Sequence, residues 1–243
     1  MELSKSTGVQ RVRHEIRARE LSVRRIEPLG ASLLSITFGG AALDGFVSAG
    51  FDDHVKFIIP TDNGEEPVRR DYTPVWYNAA ANELTLEFAL HDGGAADAWA
   101  RSAVVGQQAI IAGPRGSMVV PLDYDFHLLA GDRAALPAIR RRLAELPAST
   151  RALLVIAATG ADRLPIDSAS QLSVQWVDDD AAMLNALREL ELPAGDGYAW
   201  FAGEAGIAKQ VRAVYAEKGL NKDAMRVAAY WKRGIEAHHE QID

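Results

Sequence analysis

The spacing of apolar residues changes about halfway along the chain, and this change constrains the fold more than any other feature of the sequence. In the first half, short alternating segments such as residues 83–90 are separated by Gly, Pro, Asn and Asp, which is typical of closely spaced antiparallel strands. In the second half, apolar segments alternate with stretches of helical spacing, as in Leu136 and Ile139. The pattern predicts an N-terminal antiparallel β-barrel over residues 1–122 and a C-terminal doubly wound α/β domain with a mostly parallel sheet over residues 123–243.

The composition excludes several classes of protein. The chain has no cysteine, which excludes disulfides, thiolate nucleophiles, iron–sulfur clusters and Cys-rich zinc sites. A net charge of −7 argues against nucleic-acid binding, because phosphate contacts need an excess of Lys and Arg. The N-terminal segment lacks the apolar core of a signal peptide, and no run of about 18 apolar residues could span a bilayer. We therefore expect a cytoplasmic protein that engages neither membrane nor nucleic acid, and we expect a monomer.

The segment RRDYTPVWY, residues 69–77, predicts one strand with an unusual mixture of charged and aromatic side chains. An ordinary edge strand would explain it, and so would a strand that faces a flat, phosphate-bearing ligand such as a flavin. In the second interpretation Arg70 donates two hydrogen bonds to a phosphate, Tyr72 lies against the ring system, and Thr73 donates towards a ring nitrogen. These residues alone leave both interpretations open.

Two turns rich in small residues follow predicted strands of the barrel, in HDGGAADAW at residues 91–99 and in AGPRGSM at residues 112–118. Either turn would serve as a plain connection. The first would also let backbone N–H groups approach a diphosphate at a helix N-terminus. Four small residues provide this access: Gly93, Gly94, Ala95 and Ala96.

Seven segments occur in the order expected of the siderophore-interacting protein family: DDHVKFIIP, RRDYTP, FALHDGGAADAWA, AGPRGSM, LLAGDRAALPAI, WFAGEA and YWKRG. The sequence resembles these FAD-containing ferric-siderophore reductases from about residue 15 to residue 235. The family belongs to the ferredoxin-reductase superfamily, so the resemblance implies an FAD-binding barrel and a C-terminal NAD(P)H-binding domain. It also implies an oxidoreductase that passes electrons from NADPH or NADH through FAD to siderophore-bound Fe(III), releasing Fe(II).

The resemblance further implies which residues form the sites. FAD contacts fall on Asp53, His54, Val55, Arg70, Tyr72, Thr73, His91, Gly93, Gly94, Ala95, Ala96, Trp99 and Ser117. Tyr72 and Thr73 are the two expected at the reacting ring. Nicotinamide-cofactor contacts fall on Gly131, Asp132, Gly203, Glu204 and Ala205. The usual dinucleotide fingerprint G-x-G-x-x-G is absent.

An anionic ferric siderophore would need a local basic cluster on so acidic a chain. We expect four residues to converge and bind it: Lys56, Arg133, Lys232 and Arg233. Solvated surface charges are the alternative for each, and Arg133 stands where many relatives have an acidic or neutral residue. No protein ligand to iron is needed, because one-electron reduction weakens the hold of the chelator on the metal. His238, His239 and Glu240 are better explained as a polar C-terminal tail than as metal ligands.

Two other functions remain open at this point. One is a flavoprotein reductase for a different acceptor, such as a free flavin or a ferredoxin-like protein. The other is a protein that binds ferric siderophore without redox chemistry. The second alternative predicts a colourless protein, whereas a flavoprotein is yellow.

Overall fold

A computed structural model describes residues 8–61, 65–91, 93–234 and 240–241. These residues divide into two compact units. One unit is Arg11–Val119, and the other contains the described residues from Val120 onwards together with residues 8–10. No helix within the described ranges is long and apolar enough to cross a membrane.

The Arg11–Val119 unit is built on a seven-stranded antiparallel sheet. The strands are β2 (Ala18–Leu29), β3 (Leu33–Gly39), β4 (Val55–Ile59), β5 (Val68–Tyr72), β6 (Pro74–Asn78), β7 (Glu83–Ala89) and β8 (Gln108–Ala112). Their spatial order is β5-β4-β8-β2-β3-β7-β6. Helix α1 (Ala95–Ser102) follows β7, and β1 (Gln10–Arg13) pairs with β9 (Gly116–Val119) in a separate two-stranded sheet.

The predicted single strand over residues 69–77 is wrong. The chain breaks at Thr73 into β5 and β6, which lie at opposite edges of the sheet although they are consecutive in sequence. Pro74 explains the break, because proline has no N–H to donate and disfavours a continuous central ladder. The sheet curls until Tyr72 of β5 contacts Phe88 of β7, with ring centroids 4.2 Å apart. This curled antiparallel sheet confirms the predicted barrel.

Apolar side chains that alternate along these strands fill the inside of the curled sheet. On β2, for example, Leu21 and Val23 are at most 1% exposed while the intervening Ser22 lies on the other face. Rings of Phe38, Phe57 and other core residues form the centre of this cluster. The inward-facing side chains of β4 and β5 therefore pack against this core.

The second unit is a doubly wound α/β domain, as predicted. Its strands are β10 (Phe126–Asp132), β11 (Arg151–Ala157), β12 (Gln171–Val177), β13 (Gly197–Glu204), β14 (Met225–Trp231) and β15 (Glu240–Gln241). Its helices are α2 (Leu136–Glu145), α3 (Asp180–Glu189) and α4 (Ala205–Glu217). The spatial order is β12-β11-β10-β13-β14-β15, in which the first five strands are parallel and β15 is antiparallel to β14.

The strand order reverses between β10 and β13, since β11 and β12 extend the sheet to one side and β14 extends it to the other. In open α/β sheets, ligands bind beyond the carboxyl ends of the strands at such a switch point. The carboxyl ends of β10 and β13 are Asp132 and Glu204. The fold therefore brings two segments of the expected nicotinamide site to one place.

Candidate flavin and nicotinamide sites

The ladder between β4 and β5 sorts the expected ligand-binding residues onto two faces. Tyr72 lies opposite Val55, and Arg70 lies opposite Phe57. Residues directly opposite in an antiparallel pair share a face, and Val55 and Phe57 are fully buried. Arg70 and Tyr72 therefore project from the inner face of the curled sheet, whereas Lys56 projects from the outer face. Because the side chain of Val55 is buried in the core, a ligand could contact only its backbone, and that contact stays a prediction.

Tyr72 is a partly buried member of an aromatic cluster. Its ring meets Phe57 edge-on at 5.9 Å and Phe88 at 4.2 Å, and Trp99 of α1 meets Phe57 at 4.5 Å. Burial raises the pKa of Tyr72, Arg70 opposes this rise, and Asp97 reinforces it. Because Tyr72 and Trp99 both contact Phe57, β5 and α1 pack against the same ring.

Thr73 follows Tyr72 at the strand break and is 6% exposed. It occupies the point where the two edges of the sheet are joined. The expectation that its hydroxyl or N–H serves a flavin ring stays a prediction.

The turn before α1 has the backbone of an anion-binding loop. Gly93 and Gly94 have φ values of 106° and 92°, a region that residues with a Cβ rarely adopt. Gly94 is the N-cap and has no side chain to accept an N–H group, and among the described residues no side chain caps the first N–H groups of the helix. The Asp97 carboxylate stabilises the turn: it accepts a hydrogen bond from the His91 N–H at 2.9 Å and forms an ion pair with Arg101 at 2.7 Å. Burial opposes ionisation of Asp97, but these hydrogen bonds prevail and lower its pKa.

With no side-chain cap among the described residues, the start of α1 is suited to a diphosphate. The N–H groups of the first turn have no partner within the helix, and the positive end of the helix dipole favours a negative charge there. Ala95 and Ala96 begin the helix, and neither carries a bulky side chain. Among the predicted contacts of the flavin, these residues fit a phosphate group best.

Asp53 and Ser117 have their hydrogen bonds inside the protein. Ser117 donates its hydroxyl to Asp53 at 2.6 Å, and the same carboxylate oxygen accepts bonds from the Ser48 hydroxyl and the Gly50 N–H. Asp53 and Ser117 are at most 4% exposed. This network orders the loop that leads to half-buried His54, and direct contacts of these side chains with FAD stay a prediction.

Lys56 has a partner for its charge. Its ammonium group lies 2.8 Å from Asp71, which is the residue opposite it on β5. The lysine side chain is 49% exposed, and the second oxygen of Asp71 is buried with no hydrogen-bond partner among the described residues. Lys56 belongs to the barrel unit, whereas Arg133, Lys232 and Arg233 belong to the α/β unit. Convergence of the four basic residues stays a prediction.

At the switch point of the α/β unit, β10 and β13 pair directly, and Gly131 has no room for a side chain. Gly131 lies beside Ala202, so that Asp132 lies beside Gly203. A Cβ on Gly131 would collide with the Ala202 carbonyl oxygen and with the Ala135 side chain. Glycine is therefore required for this approach, and the expected nicotinamide segments 131–132 and 203–205 are brought together.

Asp132 is held between two donors. It accepts the indole N–H of Trp231 at 2.7 Å and the Ala134 N–H at 2.7 Å. Burial raises the pKa of Asp132 to about 6, although both hydrogen bonds oppose the rise. Sequence reasoning did not include Trp231 in the site. Its position at the carboxyl end of the last parallel strand was the available signal.

Glu204 caps α4 with its own side chain. One carboxylate oxygen accepts the N–H groups of Gly206 and Ile207, and the other accepts the Arg233 N–H at 3.4 Å. Burial opposes ionisation, but these backbone donors lower the pKa of Glu204. The contrast with α1 is direct, because here a carboxylate of the protein already takes the N–H groups that a diphosphate would need. Ala205 begins the helix and is buried.

Helix α3 is closed in the same way, since the Asp179 side chain accepts the Ala182 N–H at 2.8 Å. Asp180 follows it, and burial raises its pKa while Arg233 lowers it. This edge of the sheet is therefore acidic, with exposed Arg233 as a compensating charge. At α3 and α4 a nicotinamide diphosphate would therefore depend on basic side chains and not on the helix N-termini.

Within the described ranges, no group of three or more His, Asp or Glu side chains is arranged to hold a metal ion. His238 and His239 lie outside the described residues.

Comparison with known proteins finds relatives that match both units. The model of a siderophore-interacting FAD-binding domain matches residues 22–67 and 61–118, and the model of a siderophore-interacting protein matches residues 124–234. An Escherichia coli (strain K12) protein described as an NADPH-dependent ferric-chelate reductase is 36% identical over 244 residues, covering 91% of this chain and 96% of its own. A ferric vibriobactin reductase of Vibrio cholerae serotype O1 is 28% identical, covering 92% of this chain and 93% of its own.

Among solved structures, a siderophore utilization protein from T. fusca superposes with a TM-score of 0.86 at 28% identity, covering 95% of this chain and 98% of its own. The family matches extend over both units, and the reductase from Escherichia coli matches nearly end to end. The chain belongs to the siderophore-interacting protein family.

Proposed function

We propose that this protein is an FAD-dependent ferric-siderophore reductase that oxidises NADPH or NADH. One observation carries the proposal: α1, whose first turn has no side-chain cap among the described residues, packs through Trp99 against the same Phe57 ring as Tyr72, and Arg70 shares the inner face of β5 with Tyr72. A flavin dinucleotide would find here N–H donors for its diphosphate, a guanidinium group and a flat phenol ring. The relatives that bear reductase names support the same activity.

The residues fit FAD in a defined way. Arg70 and the N–H groups of residues 94–96 would hold the diphosphate, because a guanidinium and a helix N-terminus both favour phosphate oxygens. Tyr72 would lie against the ring system as a neutral phenol, since burial disfavours its ionised form. When bound, FAD accepts two electrons from a nicotinamide and passes them on singly, as ferric iron requires.

The nicotinamide cofactor would bind at the switch point between β10 and β13. Gly131 lets β10 pack closely against Ala202 and Ala135 there, and Arg133, Lys232 and Arg233 would meet the phosphates of the cofactor. The carboxylates of Asp132 and Glu204 oppose a strong interaction with phosphate. This balance favours a donor that binds weakly and leaves after each turnover.

The substrate would be a small anionic ferric chelate. Oxygen ligands hold ferric iron much more tightly than ferrous iron, so reduction releases the metal without any iron ligand from the protein. Lys56 and the basic residues of the α/β unit would attract the chelate. The proposal includes a cytoplasmic, monomeric enzyme that binds no nucleic acid.

The two half-reactions test this function separately. Under anaerobic conditions, purified protein is mixed with NADPH or NADH, and bleaching of the flavin absorbance is followed. Ferric chelates are then added, and ferrous iron is measured with a trapping dye. Bleaching without ferrous iron would indicate a reductase for another acceptor, and a colourless protein that takes up no FAD would refute the proposal.

A pair of neighbouring arginines tests the flavin site. Arg70→Ala should weaken FAD retention roughly 10- to 100-fold, because a hydrogen bond to a charged group contributes about 1.5–3 kcal/mol. Arg69→Ala is the matched control, since Arg69 lies on the same strand but projects from the opposite, exposed face. Equal flavin content in the two variants would remove Arg70 from the site.

A further inference from the structure

A basic cleft of about 400 Å³ opens in the barrel unit where the chain enters β2 and leaves β8. Arg13, Arg17 and Arg19 line it together with His14, while Pro114 lies on the opposite stretch of chain. Neither the expected flavin contacts nor the four expected siderophore contacts include these residues. The cleft therefore needs its own explanation.

Arg19 is the central residue of the cleft, and it is only 5% exposed. Its position on β2 explains this burial, because it shares the inner face with Leu21 and Val23 at a spacing of two. One terminal nitrogen donates to the carbonyl oxygens of Arg17 at 3.1 Å and Gly113 at 3.2 Å. The Nε atom is buried and has no hydrogen-bond partner in the part of the chain that the structure describes.

No carboxylate among the described residues forms an ion pair with Arg19. Its guanidinium lies 5.3 Å from the centre of the Phe46 ring, and burial together with the nearby Arg17 lowers its pKa. A buried cation that lacks a counter-charge is costly, because its desolvation is only partly offset by carbonyl dipoles. A bound anion would provide the missing charge and accept the unused N–H.

The rest of the lining adds positive charge. Arg13 is exposed on β1 and makes no ion pair with a described residue. Arg17 pairs with exposed Glu15 at 2.7 Å, which is the acidic residue of the lining. His14 is fixed by a 2.7 Å hydrogen bond between its Nε2 atom and the Ser117 hydroxyl. Three arginines against one carboxylate make this cleft positive in a chain whose net charge is −7.

We propose that this cleft binds a small, multiply charged oxyanion, either a phosphate ester or a polycarboxylate, through the guanidinium groups of Arg19 and Arg13. Planar guanidinium groups bind the oxygens of phosphate and carboxylate by paired hydrogen bonds, which single them out from other anions. The volume suits a ligand larger than a lone chloride ion and of the size of pyrophosphate or citrate. The inference is independent of the proposed reductase activity.

Isothermal titration calorimetry on the FAD-loaded protein at low ionic strength tests the proposal, with pyrophosphate and citrate as probes. Arg13→Gln should weaken binding of the preferred probe about tenfold, as expected for the loss of one charged hydrogen-bond donor. Arg19→Gln should abolish it. Arg11→Gln is the matched control, because Arg11 lies on the same exposed strand but does not line the cleft.

The outcomes separate clearly. Tighter binding of pyrophosphate identifies a phosphate ester as the natural ligand, and tighter binding of citrate identifies a polycarboxylate. If Arg19→Gln fails to fold, Arg13→Gln decides. Absence of binding by the unaltered protein at millimolar probe, or equal weakening by Arg11→Gln and Arg13→Gln, overturns the proposal. Flavin content is read by absorbance in the same samples, so that a failure of the flavin site is recognised separately.

Discussion

Replacing His127 should change how the stability of this protein depends on pH. His127 lies on β10, is fully buried, and has no hydrogen-bond partner for either ring nitrogen among the described residues. The rings of Tyr124 and Tyr198 lie 5.7 and 5.8 Å away. Burial, aided by the positive charge of Arg142, lowers the pKa of His127 to about 3.

The direction of the effect follows from the two states. The folded protein keeps His127 neutral, whereas the unfolded chain binds a proton near pH 6.5. Stability from this residue is therefore fully present above pH 6.5 and is lost as the pH falls towards 3. At pH 5 the protonated form exceeds the neutral form about 30-fold in the unfolded chain, which stabilises that state by about 2 kcal/mol. At pH 7.5 the same contribution is below about 0.1 kcal/mol.

The variant His127→Leu removes this titration and keeps a similar side-chain volume. At pH 7.5 we expect stability equal to that of the unaltered protein or higher, because two unsatisfied buried nitrogens are replaced by apolar groups. Lowering the pH from 7.5 to 5 should then cost the variant about 2 kcal/mol less than it costs the unaltered protein. Urea unfolding of both proteins at the two pH values measures this double difference.

Comparison of the two proteins isolates His127 from other titrating groups. Asp132, for example, has a raised pKa of about 6, so its contribution to stability changes in the opposite direction over this range. That contribution is common to both proteins and cancels in the difference. Parallel losses of stability in the two proteins between pH 7.5 and 5 would refute the buried, neutral state of His127.

Three further predictions concern ligand binding. Glu204→Gln keeps an oxygen to cap α4 but removes a negative charge beside the expected diphosphate. The steady-state KM for the nicotinamide donor should therefore fall roughly fivefold, equivalent to about 1 kcal/mol. An unchanged KM would mean that Glu204 does not lie near the phosphates. Lys56→Ala should raise the KM for an anionic ferric chelate two- to fivefold, because an exposed charge interaction contributes about that much to binding. The rate of anaerobic flavin reduction should not change. Equal losses in both half-reactions would assign the lysine to the flavin. Asp71→Asn releases Lys56 from its 2.8 Å ion pair and should lower the same KM, and a rise would contradict this role.

The sequence indicates the secondary structure of this chain because the spacing of apolar residues is regular in both halves. Helix α2 illustrates this, since Leu136, Ile139 and Leu143 recur at helical spacing and are fully buried. The break at Thr73 was missed although Pro74 signalled it. Local charge and aromatic content had suggested one continuous strand, but the missing N–H of proline determines where the ladder ends.

Contacts between distant parts of the chain explain what sequence reasoning did not find. The bond between Asp53 and Ser117 joins residues 64 positions apart, and no local pattern indicates it. The cap formed by Glu204 was equally hidden, because the sequence identified the loop but not the direction of the carboxylate. Arg19 could have been noticed, since it continues an apolar alternation with Leu21 and Val23.

The position of Thr73 has a mechanical consequence. The edge strands β5 and β6 of the curled sheet are joined directly through Thr73, so the two edges are connected by the polypeptide chain as well as by side-chain contacts. The Cα atoms of Tyr72 and Pro74 cannot separate by more than about 7 Å, the reach of two residues. Thermal fluctuations can therefore separate other neighbouring strands of the sheet, but β5 and β6 cannot separate at Thr73, next to the ring of Tyr72.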